Sequence, residues 1–494
     1  MTGLSDWWAS VQADPFSVQG YLMVYGIFAL THLLVQYTFA LLHDVRVRQL
    51  ERSKASHRRG SAGSPIPDEI VVWVPVFQEK PKWLEACLYA LEIAAVYFEQ
   101  TVPGSKVTII VVDDGSYLGR LKQYSQPAPP LTRGRRFWLW ARGRKPETSA
   151  QRQERYSEYR RKRWELEAIL IRYASRPHFE IPKPSGQNVG KRHVQEIAWL
   201  LWMERVKAGL ARAAKLYVTV DSDTVLDENA IYRIALNFRN PDVGAATGYV
   251  DVGNWADNWL SRLIDMRYWS AFHVERAAQS FWRCVMCCSG PLAAYKADVA
   301  DLVMDMYTNQ MFRGNRCTFG DDRHLTNLIL EKGYEVVMDP TAHCLTDVPT
   351  KVLKEYLPQQ KRWSMSFYRE MLWSLEGLKS HSGYMTYDLF MQFLLPFMLL
   401  GGLAVTGYLA YTGDAWTTIG LYVVTIFAVG FIRSLYPFFA RRAAPGQTFS
   451  LTRRFSQLLF MGYGVLHVLV LIPIRIIALI SLLRGTTAWG TRTG

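Results

Sequence analysis

The residues able to do chemistry stand in a few short polar groups. Asp221-Ser222-Asp223 places two carboxylates two residues apart, directly after the β-rich run Tyr217-Val218-Thr219-Val220. Hard oxygen ligands of that kind suit a divalent cation such as Mg2+ or Mn2+, with substrate phosphates completing the shell. Taken alone, the same residues also read as an Asx turn at a strand end. Asp113-Asp114-Gly115-Ser116 follows a second apolar run. Gly190-Lys191-Arg192 offers a flexible backbone and two cations suited to a diphosphate. Gly320-Asp321-Asp322-Arg323 adds another carboxylate pair, and Gln359-Gln360-Lys361-Arg362-Trp363 stands just before an amphipathic stretch.

These groups must be positioned by a sheet. Residues 70–77, 107–112 and 216–220 read as strands, and residues 83–97 as an amphipathic helix with Trp83, Cys87, Ala90, Ala94 and Tyr97 on one side. Alternation of β-rich runs with helical patterns predicts a parallel sheet with helices on both faces, whose ligands gather at the carboxyl ends of the strands. Three strands in succession end in polar clusters: Gln78-Glu79, Asp113-Asp114 and Asp221-Ser222-Asp223.

Four apolar stretches are long enough to cross a bilayer, which takes about 20 helical residues: 20–42, 389–411, 416–432 and 456–474. The first is not read as a signal peptide, since residues 1–16 carry no basic region and no small-residue cleavage site follows. The basic residues locate the loops. Of the net charge of +14, residues 120–163 carry +11 and residues 46–59 carry +5, so the rest of the chain is close to neutral at −2. That distribution argues against a chain built to bind nucleic acid, and no nucleic-acid partner is expected. The basic loops after the first span and before the last one put the central domain in the cytoplasm by the positive-inside rule. The predicted organisation is an extracytoplasmic segment at 1–19, a transmembrane helix at 20–42, a basic cytoplasmic linker at 43–68, a cytoplasmic catalytic domain at 69–363 with a basic insert at 120–165, an interfacial helix at 364–384, and a C-terminal membrane region of about three helices at 385–494. His32, Gln36 and Gln392 are costly in lipid and should face protein or a cavity. Residues 476–483 fit either an interfacial tail or a continuation of the last span.

Beyond the individual groups, the ordered series resembles the processive family-2 glycosyltransferases that build polysaccharide at the membrane, and hyaluronan synthases most of all. The residues carrying it are Val74-Pro75, Asp113-Asp114-Gly115-Ser116, Gly190-Lys191-Arg192, Asp221-Ser222-Asp223, Arg276-Ala277-Ala278-Gln279-Ser280, Cys288-Ser289-Gly290-Pro291-Leu292, Gly320-Asp321-Asp322-Arg323, Thr346-Asp347-Val348-Pro349 and Gln359-Gln360-Lys361-Arg362-Trp363. The resemblance implies an α/β nucleotide-sugar-binding domain of the GT-A type, with interfacial helices and about four transmembrane helices. It implies that Asp113 lies near uracil and ribose, Asp221 contacts the nucleotide, Asp223 holds the metal, and Lys191 with Arg192 faces the diphosphate. Asp322 would be the general base and Asp321 a neighbouring substrate contact. Ser289, Gly290 and Pro291 would line the acceptor site, and Gln359, Arg362 and Trp363 would close over the donor. The implied partners are UDP-N-acetylglucosamine, UDP-glucuronate, the growing polysaccharide and membrane lipids. One base suffices for such a reaction, because UDP is already a good leaving group once its charge is neutralised. A single N-terminal span also looks like the rhizobial-type chitin-oligosaccharide synthases, which stand as the alternative within the enzymes. A silent membrane scaffold using the basic insert is the alternative outside them.

Other features fit ordinary packing. Cys284, Cys287 and Cys288 lack the second ligand pair that structural zinc wants and read as buried thiols. His193, His273 and His324 read as supporting or packing residues, while Trp255, Trp259, Trp269 and Trp282 fit sugar stacking or a core face equally well. The insert reads as loop followed by a charged helix over 149–170, either a solvated excursion or an anchor on anionic lipid.

Overall fold

Runs of β-branched residues between polar ends form the central sheet, as their alternation and burial require. The structure, a computed structural model, describes residues 18–56, 65–127, 132–141, 143, 145–186, 188–376, 382–412, 415–440, 450–456, 458 and 460–485. The expected extracytoplasmic segment up to residue 17, residues 57–64 of the linker and residues 128–131 of the insert loop lie outside that range.

The strands are β1 (Glu69–Val76), β2 (Lys106–Asp113), β3 (Phe179–Glu180), β4 (Leu216–Thr219), β5 (Thr224–Leu226), β6 (Val243–Val252), β7 (Ala293–Lys296), β8 (Met311–Phe312), β9 (Asn315–Arg316) and β10 (Glu335–Thr346). Eight of them make one mixed sheet in the order β3-β2-β1-β4-β7-β6-β10-β5, while β8 and β9 pair separately. β3, β2, β1 and β4 are parallel neighbours, so their carboxyl ends share one edge. Val76 pairs with Asp113 at that edge, and Val220 N–H donates to Trp73 O at 3.1 Å. This register brings Asp113 and Asp221 to the two flanks of β1. β7 runs antiparallel to β4 and β6, so the turn entering β7 delivers Ser289-Gly290-Pro291 to the same edge.

Helix Pro81–Thr101 covers the sheet with Leu84, Cys87, Leu88, Leu91, Ala94, Ala95 and Phe98 buried. Cys87, Ala90 and Ala94 of the expected stripe are buried, while Trp83 and Tyr97 are half-buried at its margin. Each fully buried aliphatic or aromatic side chain stabilises the packing by about 1.5–3 kcal/mol.

Among the described residues, three helical segments are long and apolar enough to cross a membrane: Val24–Gln49, Gly383–Ala404 and Gly462–Leu483. The four expected stretches need two adjustments. The first belongs to a continuous 39-residue helix, Val18–Ser56, so much of the expected basic linker is helix. Helix Ala415–Ala440 holds the third expected stretch, with the apolar run Ile426–Phe439 among its described residues. The last span is displaced toward the C-terminus, and helix Ile472–Leu483 continues it through residues 476–483.

His32 and Gln36 are buried, as their cost in lipid predicts. Gln36 donates to Asp388 at 3.3 Å, Gln392 donates to the same carboxylate at 2.9 Å, and Gln279 of the catalytic domain donates to it at 2.7 Å. One buried carboxylate thus ties two membrane segments to the domain they carry.

Candidate active site

Lys191 opens helix Lys191–Lys207 beside a left-handed Gly190. The preceding loop is held by Asp114, whose carboxylate accepts from Val189 N at 3.0 Å and Gly190 N at 2.9 Å. So placed, the Lys191 ammonium lies 2.8 Å from Asp221 Oδ1, 3.0 Å from Asp321 Oδ2 and 3.3 Å from Asp322 Oδ1. Three elements distant in sequence therefore meet at one cation: the end of β4, the Gly190 loop and the first turn of helix Asp321–Glu331.

Gly290 fills the remaining side of this cluster. Its N–H donates to Asp322 Oδ2 at 3.0 Å. A Cβ there would stand 2.6 Å from Lys191 Nζ and 3.0 Å from both Asp221 Oδ2 and Asp322 Oδ2, so a side chain at this position would push the ammonium out of the cluster. Ser289 N–H donates to Thr247 Oγ1 at 3.0 Å, and Pro291 is half-buried beside it. Thr326 joins this loop to helix Asp321–Glu331, accepting from Cys288 N at 3.0 Å and donating to Asp322 O at 2.6 Å.

The charges in the cluster are unequal. Burial opposes ionising Asp321, yet Lys191, Asp322 and Arg192 together hold its carboxyl well below the usual range. Burial and then the Asp321 charge push Asp322 well above it. Two adjacent carboxyls are thereby separated, one kept as a charge and one kept able to accept a proton. About a third of the Asp322 side chain (31%) remains open, so a substrate hydroxyl can reach it. Lys191 is raised well above its ordinary value, because Asp221, Asp321 and Asp322 outweigh its burial.

Asp223 sits on the far side of Asp221. Burial, followed by the charges of Asp221 and Glu79, raises its carboxyl to about 8, and Glu79 is itself raised by burial while accepting from Ser222 Oγ at 3.2 Å. Crowded carboxylates raised in this way are relieved by a divalent cation, so the donor chemistry of the Asp221–Asp223 pair fits one. Among the described residues no three His, Cys, Asp or Glu side chains form a metal cage; phosphate oxygens would have to complete the shell.

Two expectations need correction. Arg192 does not face the sheet edge: its buried guanidinium donates to the carbonyls of Tyr307 at 3.4 Å and of Phe319 and Gly320 at 3.2 Å. Phe319 O also accepts from Arg369 and Gly320 O from His324 N, so Arg192 adds a brace to the turn that opens helix Asp321–Glu331. The insert, too, is a solvated excursion only in part: its helix, Ser149–Ala174, stays largely exposed up to residue 162, but Arg163 forms a buried ion pair with Asp113 Oδ2, and beyond the insert the same helix buries Leu166, Ile169, Leu170 and Tyr173. Asp113 Oδ1 accepts from Ser116 N at 3.0 Å.

The Gln359–Trp363 motif lies on helix Leu357–Glu376 rather than before it. Trp363 is half-exposed with its ring 6.4 Å from that of Tyr268. Arg362 and Gln359 are half-buried on the same helix. Arg369 and Glu370 of the same helix are buried. Arg369 donates to Phe319 O at 2.8 Å, and Glu370 pairs with His324 of helix Asp321–Glu331 at 2.9 Å. Burial opposes it, but His324 and Arg369 bring the Glu370 carboxyl down to about 2. Arg163, Thr326, Arg369 and Glu370 escaped the sequence reading, since each acts through a contact far along the chain.

The family model described as glycosyltransferase like family 2 matches residues 191–366. Hyaluronan synthase 3 from Mus musculus is 30% identical over 476 residues, covering 95% of this chain and 76% of that protein. Hyaluronan synthase 3 from Homo sapiens is 31% identical over 478 residues with the same coverage. Among solved structures, a mannosyltransferase from Pyrobaculum calidifontis in complex with GDP-Man and Mn2+ aligns over 94% of this chain and 99% of its own, at 15% identity and a TM-score of 0.49. The chain belongs to the hyaluronan synthases, processive glycosyltransferases of family 2.

Proposed function

We propose that the protein is a hyaluronan synthase of the cell membrane, extending its polymer on the cytoplasmic side from UDP-N-acetylglucosamine and UDP-glucuronate in turn and passing the chain outward. The observation that carries this reading is the convergence of Asp221, Asp321 and Asp322 on Lys191 against a side-chain-free Gly290. A nucleotide strand end, an acceptor loop and a base then share one small volume.

In the proposed reaction the acceptor hydroxyl oxygen attacks the anomeric carbon of the donor. The bond from that carbon to the diphosphate oxygen breaks, UDP departs with the electron pair, and the carbon inverts. The hydroxyl proton passes to Asp322, which has the openness and the raised basicity for it. Asp113 takes the uracil and ribose end of the donor, and Asp221 contacts the nucleotide. Asp223, with Asp221, would hold Mg2+ or Mn2+, which when bound supplies neutralisation of the diphosphate charge. Lys191 would exchange carboxylates for diphosphate oxygens as the donor enters. Gln359, Arg362 and Trp363 would close over the donor, while Ser289, Gly290, Pro291 and Asp321 border the acceptor. Arg192 serves indirectly, by fixing the carbonyls that precede the base helix.

Asp322→Asn keeps the shape and removes the base. With both donors supplied, polymer formation should fall by about 10²–10⁴-fold, while UDP affinity measured by calorimetry stays at the parental value. A variant that still polymerises at the parental rate would overturn the assignment.

A further inference from the structure

The Asp113 carboxylate belongs to the proposed nucleotide end of the site, yet it is not held by the residues around β2 alone. Arg163, 50 residues further on, reaches it from the insert helix. The guanidinium donates to Asp113 Oδ2 and to Ser116 O at 3.0 Å, and its Nε donates to Glu167 at 2.7 Å. Only 6% of Arg163 and 1% of Asp113 are exposed. The helix bearing Arg163 is rigid at this point, because Leu166, Ile169, Leu170 and Tyr173 belong to the same core cluster as β1 and β2. Toward its N-terminal end, Tyr159 stacks on Tyr124, and Arg152 lies over the Tyr124 ring, tying the helix to residues 118–125.

An ionised carboxylate has about four acceptor sites. Ser116 and Arg163 occupy one on each oxygen, which leaves acceptor capacity in fixed directions for a ligand N–H or O–H. A side chain so fixed loses little rotamer freedom when a ligand arrives, and this preorganisation is gained as affinity. A helix serving only as a lipid anchor would have no reason to direct its one deeply buried arginine at this carboxylate.

We propose that the insert helix is a wall of the nucleotide site, with Arg163 as the positioning residue that fixes Asp113 for the nucleobase and ribose of the donor. The inference rests on the reading of Asp113 as a nucleotide contact and goes further by making donor affinity a property of the insert.

The test uses the full chain in detergent or nanodiscs, with UDP as the probe. Arg163→Met should weaken UDP and raise the donor KM on the order of tenfold, with kcat changed by less than about twofold, since no reacting atom is touched. Arg163→Lys, which keeps the charge, should recover part of the affinity. Asp113→Asn should lose as much as Arg163→Met, and the double variant no more than either, because the two residues act as one unit. Arg161→Ala, on the exposed face of the same helix, should bind as the parent does. Parental UDP affinity in Arg163→Met alongside a loss in Asp113→Asn would overturn this inference alone. Parental affinity in both would overturn the reading of Asp113 beneath it. If Arg163→Met fails to fold, hydrogen exchange on the unaltered protein decides: UDP should slow exchange at residues 160–167, and unchanged exchange there would reject the proposal.

Discussion

Lys191 and Asp322 divide the electrostatic work of the site. The ammonium holds Asp321 charged, and that fixed charge together with burial keeps Asp322 reluctant to ionise. A base acts only in its ionised form, so a raised value means that activity is lost as the pH falls through it. The account therefore expects kcat to decline toward acid along a limb of one proton, measured with both donors saturating; a kcat flat from neutral to acid pH would remove Asp322 from the base role. At this scale much was legible, because Gly190-Lys191-Arg192, Asp221-Ser222-Asp223 and Gly320-Asp321-Asp322 each lie within a few residues of chain. What was not legible was direction. Lys191 and Arg192 are adjacent in sequence, but a helix turns neighbours about 100° apart, and one points to the cluster while the other is consumed by carbonyls of the loop before Gly320.

Among the elements, helix Leu357–Glu376 supports the base helix from behind. Ser366 and Arg369 approach Gly320, which has a left-handed backbone at φ +75 and starts the turn bearing Asp321 and Asp322. A Cβ on Gly320 would lie 2.2 Å from Ser366 Oγ and 2.6 Å from Arg369 Nη2. Gly320→Ala should thus cost about 1–3 kcal/mol in backbone strain alone, seen as a lowered midpoint of thermal unfolding, and should reduce kcat more than donor affinity. Equal stability with unchanged kcat would show that the two helices are not coupled through this glycine. The sequence pattern located the amphipathic helix but not its buried charges: only the partners Phe319 O and His324 explain why Arg369 and Glu370 are inside. The insert shows the same limit. Its charge pattern predicted the helix, while the Arg163–Asp113 pair depends on a fold contact that periodicity does not encode.

Across the whole molecule, the membrane segments and the catalytic domain are joined by buried charge and by packing. Arg453, in the link that the basic-loop rule marks as cytoplasmic, pairs with Asp265 at 2.6 Å and with Asp251 at 2.5 Å. Ala478 of the last span packs with Phe319 and Met365, next to Gly320. A shift of the last span would therefore be felt at the base helix. Arg453→Met leaves two buried carboxylates without their cation, and breaking such a group should destabilise the protein by about 3–5 kcal/mol, checked by thermal unfolding in detergent; unchanged stability would mean that the loop does not dock on the domain. Neither contact was legible beforehand, since Arg453 and Asp251 are 202 residues apart, whereas the spans themselves were visible as apolar length. The claim that spans, docking loop and catalytic cluster together form a two-donor polymer synthase meets its most direct test in membranes carrying this chain. Given either UDP-N-acetylglucosamine or UDP-glucuronate alone they should make no polymer, and given both they should make one that hyaluronidase digests; polymer from UDP-N-acetylglucosamine alone would contradict the account.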